Sequence, residues 1–135
     1  MRYRSEDIIW TALHDILTEQ QYAHLTVSHH VLMRNLLPDV SRLTSRQATF
    51  VGNRASVDFV VYNRVTNAPL LAIEVDGFAF HENKLAQWER DAVKDEVLRA
   101  HEMPLLRLPT TGSGENERIR RGLHDAEAHW TRLGR

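Results

Sequence analysis

The apolar positions of the chain follow two spacings, one typical of helices and one typical of strands. Apolar residues that recur every three or four positions predict amphipathic helices over Ser5–Gln21 and Lys84–His101. The same spacing predicts a final helix from Gly114 or Glu115 to Arg132. Alternating or short continuous apolar runs predict four strands: Leu25–Val31, Ala55–Tyr62, Leu70–Val75 and Pro104–Leu108. This order predicts one domain over residues 1–135, an α/β sandwich with a central mixed sheet flanked by helices.

The segments between these elements carry weaker signals. Leu32–Leu37 could form a short helix, and the polar stretch Ser41–Asn53 is expected to be a loop. The turn region Asn63–Pro69 is short, so the two strands that flank it are expected to pair as a hairpin. The inward side of the second long helix is assigned to five apolar residues: Leu85, Trp88, Ala92, Val93 and Val97.

Composition places the chain among ordinary globular proteins, with 42% hydrophobic and 26% charged residues. The absence of cysteine excludes disulfides, cysteine nucleophiles and Cys-ligated zinc. No apolar run is long enough to span a bilayer, and the first residues lack the apolar core of a signal peptide. We therefore expect a cytoplasmic protein with no membrane partner. The formal net charge of −1 is unusual for a nucleic-acid binder, which normally has excess Lys and Arg.

Three carboxylates interrupt or end the apolar strands of the predicted hairpin. Asp58 lies within one strand, Glu74 lies near the end of the next, and Asp76 follows two positions later. If Asp58 points to the same face as Glu74, all three acids converge at one end of the sheet. Like charges this close need a cation, and their oxygen ligands favour Mg²⁺, for which Mn²⁺ would substitute. The alternative is that each acid forms a salt bridge with Arg or Lys.

The second long helix carries a polar stripe that could lie beside these acids. Gln87, Asp91 and Lys94 share one helix face, and Arg90 precedes Lys94 by one turn. This stripe is either a solvated face or a source of cations for a phosphate. Arg107, within the last strand, needs an acidic partner or a phosphate.

Histidine and tryptophan add two smaller expectations. His29 and His30 are adjacent, so on a strand they point to opposite faces and should not share a zinc ion. Trp130 on the final helix is either a core residue or part of a homodimer interface.

Two stretches resemble the PD-(D/E)XK nuclease superfamily, in the branch related to very-short-patch repair endonucleases. They are Asp58–Val61 and Leu71–Gly77, followed by His81. The downstream pattern Gln87-x-x-Arg90-Asp91-x-x-Lys94 is similar to a nuclease-like domain at the C-terminal end of large bacterial superfamily I helicases. The resemblance extends from about Glu6 to the final helix.

This resemblance implies a restriction-endonuclease-like fold and metal-dependent hydrolysis of DNA phosphodiesters, with Mg²⁺ as the cofactor. It assigns metal binding to Asp58 and Glu74. Asp76 stands where the superfamily usually has Lys, and it would orient a water or bind a second ion. His81 would be a general acid or base. Glu6 matches an acid on the first helix that can reach the metal through water, although its alternative role is a favourable helix N-terminal charge.

The resemblance also implies partners. DNA phosphates would contact Gln87, Arg90, Lys94 and Arg107, and Lys94 or Lys84 would replace the missing motif lysine. A superfamily I helicase in the same or another chain would deliver the DNA. Two other functions stay open, the first of them because Asp cannot supply positive charge. One is an inactive nuclease-fold module that binds DNA or a helicase partner, and the other is a domain that docks a protein and does not touch DNA.

Overall fold

The computed structural model describes residues 4–76, 84–109 and 113–135. It confirms the α/β fold: four strands form a mixed sheet, flanked by four α-helices. The elements in chain order are α1 (Arg4–Leu17), β1 (Leu25–Leu32), α2 (Ser45–Gly52), β2 (Ser56–Asn63), β3 (Pro69–Asp76), α3 (Lys84–Ala100), β4 (Leu105–Pro109) and α4 (Glu115–Arg132). Every helix among these described residues is too short or too polar to cross a membrane.

The strands lie in the order β1-β2-β3-β4. The first three are antiparallel neighbours, and the pairing of Phe59 with Ile73 confirms the expected hairpin between β2 and β3. β4 runs parallel to β3, a connection that requires a crossover, and α3 lies in that crossover. The sheet is therefore mixed because its last two strands are joined through a helix.

Each face of the sheet is covered by its own apolar cluster. One cluster joins the sheet to α1 and α4 and includes Ile9, Leu13, Phe59, Ile73, Ile119 and Leu123. The other joins the sheet to α2 and α3 and includes Val51, Val60, Ala72, Val93, Val97 and Leu98. Because side chains alternate along a strand, Asp58 lies on the same face as Val60, and Glu74 lies on the same face as Ala72. Both acids therefore face α3.

The expectation of a loop over Ser41–Asn53 is wrong, because α2 lies within it. The Thr44 hydroxyl accepts a hydrogen bond from the Gln47 N–H, and the Gln47 side chain accepts one from the Thr44 N–H. This capping box starts a helix whose Val51 packs against α3. With so few apolar residues, the helix has too weak a hydrophobic periodicity to be recognised. The short helix expected over Leu32–Leu37 is one 3₁₀ turn.

The inward assignment for α3 is wrong for three of its five residues. Leu85 and Trp88 are 65% and 68% exposed, and Ala92 is exposed as well, while Val93 and Val97 are buried as expected. Instead, the polar stripe in the first half of α3 faces the sheet, where charged side chains lie on β3 and β4. Ion pairs with those side chains thus decide the rotation of the helix.

Trp130 of α4 packs against the core. Its indole N–H donates to the Leu70 carbonyl oxygen at 2.8 Å, and its ring contacts both apolar clusters. The core role is therefore the one observed, and a homodimer stays a prediction.

Candidate functional site

Asp58 and Glu74 meet where the backbone pairing of β2 and β3 ends. The last backbone pair at this end is Phe59 with Ile73. Beyond it, the Asp58 N–H donates to Glu74 Oε2 at 3.1 Å, and the Val75 N–H donates to Asp58 Oδ2 at 2.8 Å. Each carboxylate thus takes the place of a carbonyl oxygen on the opposite strand. These bonds hold both acids in defined orientations at the end of the hairpin.

The surroundings of this pair raise the pKa of both acids. Glu74 is only 5% exposed, and burial raises its pKa to about 7, with Lys94 opposing the change and Asp58 adding to it. Burial also raises the pKa of Asp58, against the hydrogen bond from Val75. Burial and like charge therefore both disfavour full ionisation of this pair, a cost that an added positive charge would lower.

The polar stripe of α3 lies against this pair and is not simply a solvated face. Lys94 Nζ donates to Glu74 Oε1, and the Lys94 side chain is only 14% exposed. One turn earlier, Gln87 Nε2 donates to Asp91 Oδ1 at 3.1 Å, and the exposed Arg90 donates to Gln87 Oε1 at 2.9 Å. Lys94 is thus a site residue, and Gln87 links Arg90 to the same helix face.

Arg107 and Asp76 belong to a second cluster. Arg107 Nη2 donates to Asp95 Oδ1 at 2.8 Å, and its Nη1 lies 3.7 Å from Asp76 and 3.8 Å from Asp91. Burial lowers the pKa of Arg107, but the hydrogen bond and charge of Asp95 outweigh it, and the net direction is upward. Burial raises the pKa of Asp76, against the charge of Arg107. Arg107 therefore has the acidic partners that its position in a strand requires.

Glu6 and His30 lie on the other side of Asp58. Glu6 is 7% exposed, and its Oε1 accepts no hydrogen bond from any described residue. His30 Nε2 lies 3.5 Å from that oxygen, and the charge of Glu6 raises the pKa of Asp58. His30 could not be predicted as a neighbour of Glu6, because its approach to Glu6 accompanies a left-handed backbone within a strand, with φ of 51°.

Some predicted site residues lie outside the part that the structure describes. These are His81 and the side chain of Lys84. Within residues 4–76, 84–109 and 113–135, no group of three or more His, Asp and Glu side chains is arranged to hold a metal ion. The described site therefore offers two carboxylates, Asp58 and Glu74, with Glu6 next to them.

The chain belongs to the family described as "Protein of unknown function (DUF2726)", whose model matches residues 1–126. Neither the curated proteins nor the solved structures contain a match to this chain. Since the family description names no activity, the chemistry has to be argued from the site itself.

Proposed function

We propose that this domain hydrolyses DNA phosphodiester bonds with a divalent cation held by Asp58 and Glu74. One observation carries the proposal: backbone N–H groups hold the carboxylates of Asp58 and Glu74 together at the end of a hairpin, with Lys94 beside Glu74. Structural acids usually avoid this arrangement, because burial and like charge both disfavour ionisation. Groups perturbed in this way concentrate at functional sites.

The donor set suits Mg²⁺ or Mn²⁺. Mg²⁺ prefers oxygen ligands and is commonly bound by one or two carboxylates, which leaves the other positions to waters and phosphate oxygens. Asp58 and Glu74 supply two carboxylates, and a cation would offset the like charge that disfavours the ionisation of Glu74. The orphaned Glu6 oxygen beside Asp58 adds negative charge without adding a direct ligand.

The residues of the candidate site would have separate roles in hydrolysis. A bound divalent cation supplies Lewis-acid polarisation of the phosphate and lowers the pKa of a water. Asp58 and Glu74 would bind it in orientations that the backbone N–H groups of Val75 and Asp58 already fix. Lys94 provides positive charge beside Glu74 for the charge that develops on the phosphate. Arg90, which donates to Gln87, would contact a neighbouring phosphate.

Asp76 is the main argument for a second candidate function, a catalytically inactive module that binds DNA or a helicase partner. An acid stands there in place of the lysine that the nuclease superfamily usually has, and it lies near Arg107. Lys94 also neutralises Glu74 with no external cation. The lysine from α3 could instead replace the motif lysine, and for this reason we favour the active enzyme.

DNA is the proposed substrate, delivered by a superfamily I helicase in the same or another chain. The formal net charge of −1 predicts modest, salt-sensitive DNA affinity for the domain alone. Such a domain would work in the cytoplasm on DNA that another protein presents.

A cleavage assay tests the proposal directly. Single-stranded, duplex, nicked and branched DNA would be incubated with the chain and Mg²⁺ or Mn²⁺, beside a chelator control. We expect metal-dependent cleavage that both Asp58→Ala and Glu74→Ala abolish. Asp125→Ala removes an exposed acid of α4 and should keep full activity. Cleavage retained in Asp58→Ala would refute the proposal, and DNA binding without cleavage in every variant would favour the inactive module.

A further inference from the structure

His30 has an unusual backbone conformation beside the proposed site. It lies within β1, where extended backbone is the rule, yet its φ is 51°. Residues with a Cβ adopt this left-handed conformation at an energetic cost, whereas glycine adopts it freely. The strand stays in register on both sides, because His29 pairs with Phe59 and Val31 pairs with Val57. The strain is therefore confined to one residue, a pattern that is concentrated at functional sites.

In this conformation the His30 ring meets a buried carboxylate. Its Nε2 lies 3.5 Å from Glu6 Oε1, an atom that accepts no hydrogen bond from the described residues. A buried carboxylate oxygen without a partner is costly, so its retention calls for an explanation. The His30 side chain is 46% exposed, and it therefore connects the buried acid to solvent.

The register of β1 and β2 places His30 next to the proposed metal site. The pairs on either side of His30 place it across from Asp58 on the neighbouring strand. His29, by contrast, packs edge-on against Trp10 at 5.1 Å between ring centroids, which is a structural contact.

We propose that His30 is a positioning residue of the site, which holds the Glu6 carboxylate toward Asp58 so that Glu6 helps to attract the divalent cation. This inference rests on the proposed function. It goes further by adding a residue from β1, a strand that contributes no other residue to the site as described. It also explains why the chain keeps a strained backbone: relaxing His30 would release Glu6.

The experiment measures Mn²⁺ affinity by calorimetry and the thermal unfolding midpoint on the full chain. His30→Gly removes the ring and relieves the backbone. Glu102→Gly is the matched control, since Glu102 also has a positive φ, 57°, but lies in the turn between α3 and β4. We expect both glycine variants to keep or raise the midpoint. Only His30→Gly should weaken Mn²⁺ binding, by roughly tenfold or more, as for other groups that orient metal ligands.

A double variant shows whether His30 acts through Glu6. Adding His30→Gly to Glu6→Gln should leave Mn²⁺ affinity unchanged, because the carboxylate that His30 positions is already neutral. His30→Asn, which tolerates the left-handed conformation and keeps a donor, should lose less affinity than His30→Gly.

Three results would count against these ideas, and they are distinguishable. Mn²⁺ affinity equal to the wild type in His30→Gly and His30→Asn would overturn the role of His30 and leave the proposed function intact. A midpoint that falls in His30→Gly but not in Glu102→Gly would make the His30 ring structural. A wild-type chain that binds no Mn²⁺ would refute the proposed function first.

Discussion

Two acidic clusters on the α3 face of the sheet balance their charge in different ways. In the Arg107 cluster, Asp76, Asp91 and Asp95 surround one guanidinium, and all three acids are partly exposed. In the Asp58–Glu74 pair, the acids are more deeply buried, with a single lysine at Glu74. Arg107 and exposure to solvent together balance the negative charge of the first cluster. The second has a buried carboxylate with a raised pKa and a single lysine beside it, and this difference is why we propose the pair as the place for an external cation.

Side-chain chemistry accounts for the difference. A guanidinium presents several donors in a fixed plane and can serve more than one carboxylate, whereas an ammonium is a compact point charge. Arg107 can therefore contact three acids at once. Lys94 reaches one oxygen of Glu74 and leaves the Asp58 carboxylate to the hydrogen bond from the Val75 N–H.

The largest expected effect separates the two clusters by their affinity for Mn²⁺. Asp58→Asn keeps an oxygen acceptor for the Val75 N–H but removes a charged ligand, so Mn²⁺ affinity should fall by at least about a hundredfold. Asp95→Asn is the matched control in the Arg107 cluster and should change the affinity far less. Calorimetric titration of both variants gives the comparison, and similar losses would mean that the two clusters form one site.

The next effect concerns pH. The pKa of Glu74 is about 7 in the folded chain against an ordinary value of 4.5. The unfolded chain therefore releases this proton first, and the stability that the proton contributes is lost as pH rises from about 4.5 to about 7. As pH rises through this range, the free energy of unfolding of Glu74→Gln should therefore increase relative to that of the wild type. The increase should reach up to roughly 3 kcal/mol, at about 1.4 kcal/mol per pKa unit.

Urea unfolding in the presence of a chelator measures this difference. Thr26→Ala, an exposed substitution without a titrating group, should stay at a constant difference from the wild type across the same range. A constant difference for Glu74→Gln as well would show that the buried pair holds no extra proton. The two clusters would then be alike in their charge balance.

The strands and their acids could be predicted from the sequence, because alternation shows directly which residues share a face of a sheet. Alternation predicts the places of Asp58 and Glu74, helical spacing predicts that of Lys94, and the structure brings the three together. The rotation of α3 was not predictable, because its apolar residues suggested one inward face while ion pairs with Glu74 and Arg107 selected another. Tertiary charge pairing overrode local amphipathicity at that helix.

Helix α2 and the contact between His30 and Glu6 could not be predicted from the sequence, each because of a local feature of the backbone. α2 depends on the capping box of Thr44 and Gln47, and its few apolar residues give little periodicity. His30 approaches Glu6 from a single left-handed residue, and nothing in the residue types of β1 marks that position. Backbone exceptions of this kind become visible only when the strand and its neighbours are seen together.

The smallest of these effects tests the stability of the Arg107 cluster. Arg107→Met keeps the apolar stem but leaves three acids without their shared cation, so the free energy of unfolding should fall by about 2 kcal/mol, a value lowered by the partial exposure of the acids. Arg121→Met removes an exposed arginine paired with Glu117 on α4 and should cost less than about 0.5 kcal/mol. Urea midpoints at constant slope measure both. Equal losses would show that solvent already balances the Arg107 cluster, and the contrast with the buried pair would then rest on Asp58 and Glu74 alone.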